Sequence, residues 1–356
     1  MQQNLYKMIK NKILFIGTEF KNGKGGIASV LSEYSKIFPN AVFISSTASN
    51  GKFKNMYYLL LCFGKLTFYL LKYPDAIVHI HGASYSSFKR KYFLFKFCKK
   101  FQNKIIYHIH GGEFPEFHSK ASQNIKNKIS FFINNADCII CLSTEWKRYF
   151  LTNFSPKKIE IIPNIVANPD FVNKHSCTSK FNFLFLGTIC EQKGIWLLLD
   201  AIEALKQQLN DKFVFKLGGV GSVKTLTALI SEKGLNNIVH YVGWVSPLKK
   251  IIYLNEADAY ILPSYNEGVP ISILEAMTYG LPILSTNVGG IPQVVHHHIN
   301  GILVEPGNKD ALVQALKLIL DNQEWFKSLG KQSVGLVANH LPINVKKDLT
   351  NLYNKL

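Results

Sequence analysis

Acidic residues are scarce in this chain. Asp and Glu number 23 against 41 Lys and Arg, a formal net charge of +18 over 356 residues. The deficit is uneven: residues 1–165 hold 24 Lys and Arg with 8 acids (+16), whereas residues 166–356 hold 17 with 15 (+2). A first half so short of acid suits an anionic partner. Long apolar runs are missing too. The greasiest stretch, residues 56–71, is interrupted by Gly64 and Lys65 and falls short of the roughly 20 residues a membrane span needs. The six cysteines, at 62, 98, 138, 141, 177 and 190, have no regular spacing, which argues against a disulfide framework. Cys138 and Cys141 form a C-x-x-C, but inside an apolar run that reads as a strand. Residues three apart on a strand face opposite sides, so a shared metal or redox pair is not expected. No repeat of 20–50 residues and no low-complexity tract is present, which excludes a solenoid. Residues 1–12 are polar and basic, and the apolar run 13–17 is too short for the core of a signal peptide. The expected location is cytoplasmic.

What is present reads as α/β. A hydrophobic fraction of 47% with 18% charged residues supports sizeable cores, and the length suits two domains. Short apolar runs at 12–16, 41–44, 76–81, 104–110, 138–142 and 159–162 read as strands, with a helix over 27–37. Pro163-Asn164 breaks the chain, and residues 166–179 read as a polar linker. The pattern then restarts. Strands are expected at 181–186, 212–217, 238–242, 259–262, 283–285 and 301–304, with helices at 194–209, 224–233, 271–279 and 309–320. Alternating strands and helices imply parallel sheets covered on both faces. The expected division is residues 1–165, residues 166–340 and a terminal helix, 341–356. Ligands of such sheets sit beyond the carboxyl ends of the strands, at the switch point.

The most informative stretch is Pro263-Ser-Tyr-Asn-Glu-Gly-Val-Pro-Ile-Ser-Ile-Leu-Glu-Ala-Met-Thr-Tyr-Gly-Leu-Pro282. It follows a buried strand. Glu267 and Gly268 lie in a loop, Pro270 suits a first helical turn, Ile271 opens the helix and Gly280 ends it. A helix N-terminus reached through such a loop offers free N–H groups and a positive dipole end, which suits a pyrophosphate. Glu275, little more than one turn inside, can accept hydrogen bonds from two ribose hydroxyls. Glu267, eight residues earlier, can reach a different part of the same ligand, the sugar.

This segment resembles the E-x7-E signature of retaining glycosyltransferases of the GT-B fold, family 4 (group 1) in particular. The resemblance covers nearly all of the second half. Phe185-Leu-Gly-Thr-Ile-Cys-Glu-Gln-Lys-Gly194, Leu217-Gly-Gly-Val-Gly221, Tyr241-Val-Gly-Trp-Val245, Asn287-Val-Gly-Gly-Ile-Pro292 and Asn300-Gly-Ile-Leu-Val-Glu-Pro-Gly307 follow in the family's order. It implies two Rossmann-like domains facing across a cleft, with the last helix crossing back to the first domain. The donor site it implies comprises Gly25, Gly26, Thr188, Lys193, Val245, Glu267, Gly268, Val269, Pro270, Ile271 and Glu275. His110, Glu267 and Lys193 take catalytic roles. Gly23-Lys-Gly-Gly26 is similar to the family's loop toward the donor phosphates and sugar, and Tyr107-His-Ile-His-Gly-Gly112 places His110 at the family's active-site histidine. His81 ends a similar strand, in Val78-His-Ile-His-Gly82. Thr188 stands where the family commonly carries Arg, five residues before Lys193; a hydroxyl cannot clamp a phosphate as a guanidinium does. Lys24 is a candidate to compensate.

The resemblance implies cleavage of an anomeric carbon–phosphate bond with retention and without a metal ion or cofactor. No Asp-x-Asp occurs, the usual holder of metal-bound nucleotide sugar in the other major glycosyltransferase fold. The donor is expected to be a UDP-sugar rather than a GDP-sugar, and the acceptor a lipid-linked glycan or oligosaccharide of envelope polysaccharide assembly. No nucleic-acid-binding motif is present. Residues 56–71, with residues 88–104 interleaving Lys89, Arg90, Lys91, Lys96, Lys99, Lys100 and Lys104 with aromatics, suit peripheral contact with an anionic membrane. Three other readings stay open, one of them a nucleotide-sugar epimerase of the same architecture. Another is a non-catalytic nucleotide-sugar-binding subunit, suggested by Thr188. The third is a metal-dependent hydrolase, suggested by His79-x-His81, His108-x-His110 and His296–His298.

Overall fold

The computed structural model describes residues 11–21, 23, 25–47, 52–169, 172 and 180–356; the side chains of residues 52–54 are also outside the description. The described residues form two compact units. One takes the chain up to residue 167 and again from 339 to 356, and the other runs from 168 to 338. Lys24, Cys177 and most of the expected linker lie outside the described residues.

The first unit opens with β1 (Ile13–Gly17), α1 (Gly26–Ile37), β2 (Val42–Ser45), α2 (Lys52–Lys72), β3 (Ile77–Gly82) and α3 (Tyr85–Lys99). It continues with β4 (Lys104–Ile109), α4 (Phe114–Lys120), α5 (Gln123–Asn135), β5 (Cys138–Cys141), α6 (Thr144–Asn153) and β6 (Ile159–Ile161). The strands pair in parallel in the order β2-β1-β3-β4-β5-β6. Both faces must therefore be covered, which is why β1 and β3 are buried at every position. One face packs Leu14, Ile16, Val78, Ile80 and Tyr107 under Cys62, Leu66, Phe88, Phe95 and Phe132 of α2, α3 and α5. Phe132 stacks on Phe95 at 4.2 Å and on Tyr107 at 4.1 Å. The opposite face turns Phe15, His79 and His81 toward Tyr34 of α1.

The second unit has β7 (Phe181–Leu186), α7 (Ile195–Ala204), α8 (Lys206–Leu209), β8 (Phe213–Gly218), α9 (Val223–Glu232), β9 (Val239–Gly243) and α10 (Pro247–Glu256). β10 (Ala259–Leu262), α11 (Ile271–Thr278), β11 (Ile283–Thr286), β12 (Gly301–Val304), α12 (Lys309–Asp321) and α13 (Gln323–Leu336) complete it. Its order, β12-β11-β10-β7-β8-β9, reverses between β7 and β10, and all five pairings are parallel. This is the strand order of a dinucleotide-binding doubly wound sheet. The single helix expected over 194–209 is two, because Leu205 leaves helical geometry (φ −110°, ψ 10°).

The chain then returns to the first unit as α14 (Pro342–Tyr353). Val345, Leu349 and Leu352 are buried, Leu356 only half so. The Tyr353 ring meets Phe38, the residue after α1, edge-on at 5.9 Å, and its hydroxyl lies 2.8 Å from His79 Nδ1. The return is pinned where His340 Nδ1 takes the Asn164 carbonyl at 2.8 Å and Val166 N–H donates to the His340 carbonyl at 3.0 Å.

The expected basic amphipathic stretch over 88–104 needs a correction. α3 ends at Lys99, and Phe88, Leu94, Phe95 and Lys91 are buried. Lys91 reaches between strands to Ser46 Oγ and, at 3.3 Å, the Gly17 carbonyl. Burial lowers its pKa to about 7.

Candidate functional site

The switch point of the second sheet gathers the E-x7-E segment. The loop after β7 carries Lys193, the loop after β10 carries Glu267, and they join directly: Lys193 Nζ bonds Glu267 Oε1. Ser264 Oγ donates to the same oxygen at 2.8 Å, and Tyr265 N–H donates to the Gln192 carbonyl at 2.9 Å. Glu267 is buried. Two glycine positions make this approach possible. Gly194 has φ +70°, and a Cβ there would stand 1.9 Å from the Pro263 carbonyl oxygen. Gly289 has φ +52°, and a Cβ there would stand 1.8 Å from the Glu267 carbonyl oxygen. The Asn287–Pro292 segment is thus a floor under Glu267, tied by Gly290 N–H to the Gly268 carbonyl at 2.8 Å. Thr286 Oγ1 adds a bond of 2.5 Å to the Ser264 carbonyl.

Val269 and Pro270 are buried and deliver the chain into α11. Pro270 is the residue before the helix and Ile271 its first, so the proline stands one position earlier than expected. No side chain caps the first turn of α11, and that turn holds no acidic residue. Its N–H groups and dipole end therefore remain open to an anion. Gly280, at φ +66°, ends the helix. Glu275 is half-buried, and Lys250 Nζ of α10 bonds its Oε1. Lys250 and Ser264 were not foreseen. Lys250 is 25 residues from its partner on another helix, so no local pattern marks the pair. Thr188 is exposed and Val245 half-buried.

In the first unit Gly25 (φ +105°) precedes α1, whose first turn also lacks a side-chain cap; Gly25 and Gly26 are exposed. His110 directly follows β4, but both of its ring nitrogens are engaged. Nδ1 lies 3.2 Å from Asn164 Oδ1, and Nε2 lies 2.8 Å from His81 Nδ1. Burial lowers its pKa to about 4, and the Asn164 bond opposes part of that. The imidazole is neutral at pH 7, and its proton chemistry is available only if one of these bonds opens. A hollow of about 510 Å³ lies elsewhere, between Phe43 of β2 and Tyr58, Leu61 and Lys65 of α2, with Lys21 at its rim. It contains none of the expected site residues.

The two sheets and their order define a GT-B protein, and comparison with known families identifies the group. The profile of glycosyl transferases group 1 matches residues 169–333, and that of glycosyltransferase family 4 matches residues 30–167. The chain belongs to the family 4, group 1 type of GT-B glycosyltransferases. Among curated relatives it is 26% identical over 228 residues to the amylovoran biosynthesis glycosyltransferase AmsK of Erwinia amylovora, covering 61% of this chain and 55% of that protein. It is 26% identical over 238 residues to a UDP-Gal:α-D-GlcNAc-diphosphoundecaprenol α-1,3-galactosyltransferase of Escherichia coli, covering 62% and 60%. The match to AmsK thus spans little more than half of that relative's length. Among solved structures, sucrose-phosphate synthase of Thermosynechococcus elongatus superposes with a TM-score of 0.82 at 18% identity, covering 97% of this chain and 99% of that one. HepE of Anabaena, in complex with UDP, gives 0.78 at 18%, covering 97% and 100%. At such identities the likeness shows the fold.

Proposed function

We propose that the chain moves a glycosyl group from a nucleotide-sugar donor, a UDP-sugar, to a lipid-linked glycan in envelope polysaccharide synthesis, with retention at the anomeric carbon. The observation that carries this reading is the pairing of Lys193 with Glu267 beside the uncapped N-terminus of α11. Charge builds on the leaving pyrophosphate as the anomeric bond breaks. Lys193 and the α11 N–H groups stand ready to receive it, and such preorganised charge is the largest contribution an enzyme of this kind makes. The phosphate competes with Glu267 for Lys193, which frees the Glu267 carboxylate to accept sugar hydroxyls. Glu275, held by Lys250, takes the ribose. HepE was solved with UDP and with UDP-glucose, which supports a uridine donor; the name of the Escherichia coli relative supports a diphospholipid acceptor. The test is a melting panel with UDP, GDP, ADP and their sugars, since a ligand that binds only the folded chain raises the midpoint. Anomeric NMR of the product follows. No shift with any nucleotide, or an inverted product, would refute the reading.

A peripheral membrane contact is part of the same proposal, supported by α2. Among the described residues no helix is long and apolar enough to cross a membrane. Yet α2 turns Tyr57, Leu60 (64% exposed), Phe68 (58%) and Leu71 (69%) outward along one stripe, beside Lys65 and Lys72. α3 adds the exposed Lys89, Phe93 and Lys96, and Lys100 follows it. Outward apolar residues flanked by cations suit the surface of an anionic bilayer. Leu61 and Lys65 also line the 510 Å³ hollow, so an acceptor headgroup there would leave its lipid at the stripe. Sedimentation with vesicles should require anionic lipid, weaken with salt, and fall when Leu60 and Phe68 become Ser. Equal recovery with neutral vesicles would refute the contact.

A further inference from the structure

Four imidazoles lie side by side where a parallel sheet normally buries aliphatic residues. His79 and His81 of β3 stack at 4.4 Å, and His108 and His110 at 4.0 Å. His79, His81 and His108 are completely buried or nearly so. The hydrogen bonds set their tautomers. Asn164 Oδ1 accepts from His110 Nδ1–H, so His110 Nε2 accepts from His81 Nδ1–H. The neutral His81 ring is left with a bare Nε2 lone pair, and that atom is buried with no partner. A buried lone pair like that of His81 Nε2 calls for a ligand that recovers its desolvation.

We propose that His79, His81 and His108 form a buried site for one transition-metal ion of the zinc class, with a structural role. One ring nitrogen from each lies within 4.8 Å of the others. A tetrahedral zinc ion at about 2.0–2.1 Å from its ligands spaces them roughly 3.3–3.4 Å apart. His79 Nε2 and His108 Nδ1 already stand 3.3 Å apart, a separation long for a hydrogen bond and right for two ligands of one ion. The donor set chooses the ion. It is all imidazole, with no carboxylate or thiolate in the group, which disfavours magnesium and calcium and suits zinc, cobalt, nickel or copper. Tyr353 holds the other nitrogen of His79 at 2.8 Å, the kind of outer partner that orients a metal-bound histidine. The ion would thus tie β3 and β4 to α14. The site uses neither Lys193 nor Glu267 and meets the transferase reading only through the His81–His110 bond, so metal content and the cobalt spectrum test it apart from transfer.

The full chain is produced in medium supplemented with Zn²⁺ or Co²⁺, purified without an affinity tag, and assayed for metal content, cobalt absorption and melting midpoint. The expected result is one ion per chain, a tetrahedral cobalt spectrum with nitrogen ligands, and a midpoint above that of metal-free protein. His297→Gln, in the partly exposed run His296–His298, keeps the ion; His81→Gln and His108→Gln lose it together with the gain in midpoint. The cobalt spectrum of the unaltered chain decides the matter if those two variants fail to fold. A chain that purifies without stoichiometric metal, or that loses it in His297→Gln and keeps it in the other two, overturns the proposal.

Discussion

Replacing Lys193 with Ala tests two consequences of one contact. In the folded chain Lys193 is the cation on the buried Glu267 carboxylate, and Ser264 at 2.8 Å is the other partner. Removing the ammonium leaves a buried charge with one neutral donor, which costs about 1–3 kcal/mol, the lower end applying because Lys193 keeps some solvent contact. For a unit of this size each kcal/mol moves the midpoint by about 2–4 °C, so a loss of roughly 2–4 °C is expected. Glu267→Gln in the same chain removes the stranded charge, and the double variant should melt closer to wild type than Lys193→Ala alone. Activity should behave differently. If Lys193 meets charge that develops on the pyrophosphate, its loss removes about 2–4 kcal/mol of transition-state stabilisation, roughly 30- to 1,000-fold in kcat. Glu267→Gln cannot restore that, so the double variant recovers stability without turnover. The assay is calorimetry beside radiolabelled sugar transfer. Recovery of turnover in the double variant, or wild-type kcat in Lys193→Ala, would refute the role given to Lys193.

Glu275→Ala should weaken nucleotide binding, whereas Glu267→Ala should mainly slow transfer; each effect is about 2–4 kcal/mol, read by titration calorimetry and kcat. If Lys193 and α11 meet the charge as proposed, transfer needs no metal at the donor and should persist in excess EDTA; activity lost to EDTA and restored by Mg²⁺ would contradict this. Lys91 offers a pH test. Its folded pKa of about 7 lies below the unfolded value of 10.5, so the unfolded chain binds the extra proton between those values, and this lysine's contribution to stability rises with pH across that window. Lys91→Met should remove that rise, and identical wild-type and variant slopes would sink the assignment. Deleting α14 should lower the midpoint and expose apolar surface, since the face of the first unit that it packs against, Phe38 and His79 included, would lose its cover; unchanged melting and no added dye binding would count against it.

The strands were the most legible part of the fold. A parallel strand buried on both faces must be apolar throughout, and Phe181–Leu186, Ala259–Leu262 and Gly301–Val304 begin and end where their composition changes. Helices were less legible where two facts compete. α2 is apolar on both its sides, so its composition does not reveal which half packs on the sheet. The basic run of α3 hides Lys91, whose burial depends on Ser46 and Gly17, 45 and 74 residues away. Ser246-Pro247 marked the start of α10 and could have been read as a helix opening. At the candidate site, Glu267 and Glu275 were named from their loop and helix setting, and Lys193 from the family resemblance. Their partners Ser264 and Lys250 come from tertiary placement, and so does the engagement of both His110 nitrogens.

The return of α14 to the first sheet has a consequence for synthesis. The 171 residues from 168 to 338 must leave the ribosome before the helix that covers Phe38 and bonds His79 exists. At about 5–20 residues per second that is roughly 10–35 s. Throughout that interval Phe38 and His79 lack the partner that Tyr353 supplies. The first unit to be made is therefore the last to be finished, and a chaperone that holds exposed apolar surface would find its target there. A stalled or nonsense-truncated chain ending near residue 338 would keep that surface open, and should appear as an aggregating or rapidly degraded product while the second unit, complete in sequence, could already fold.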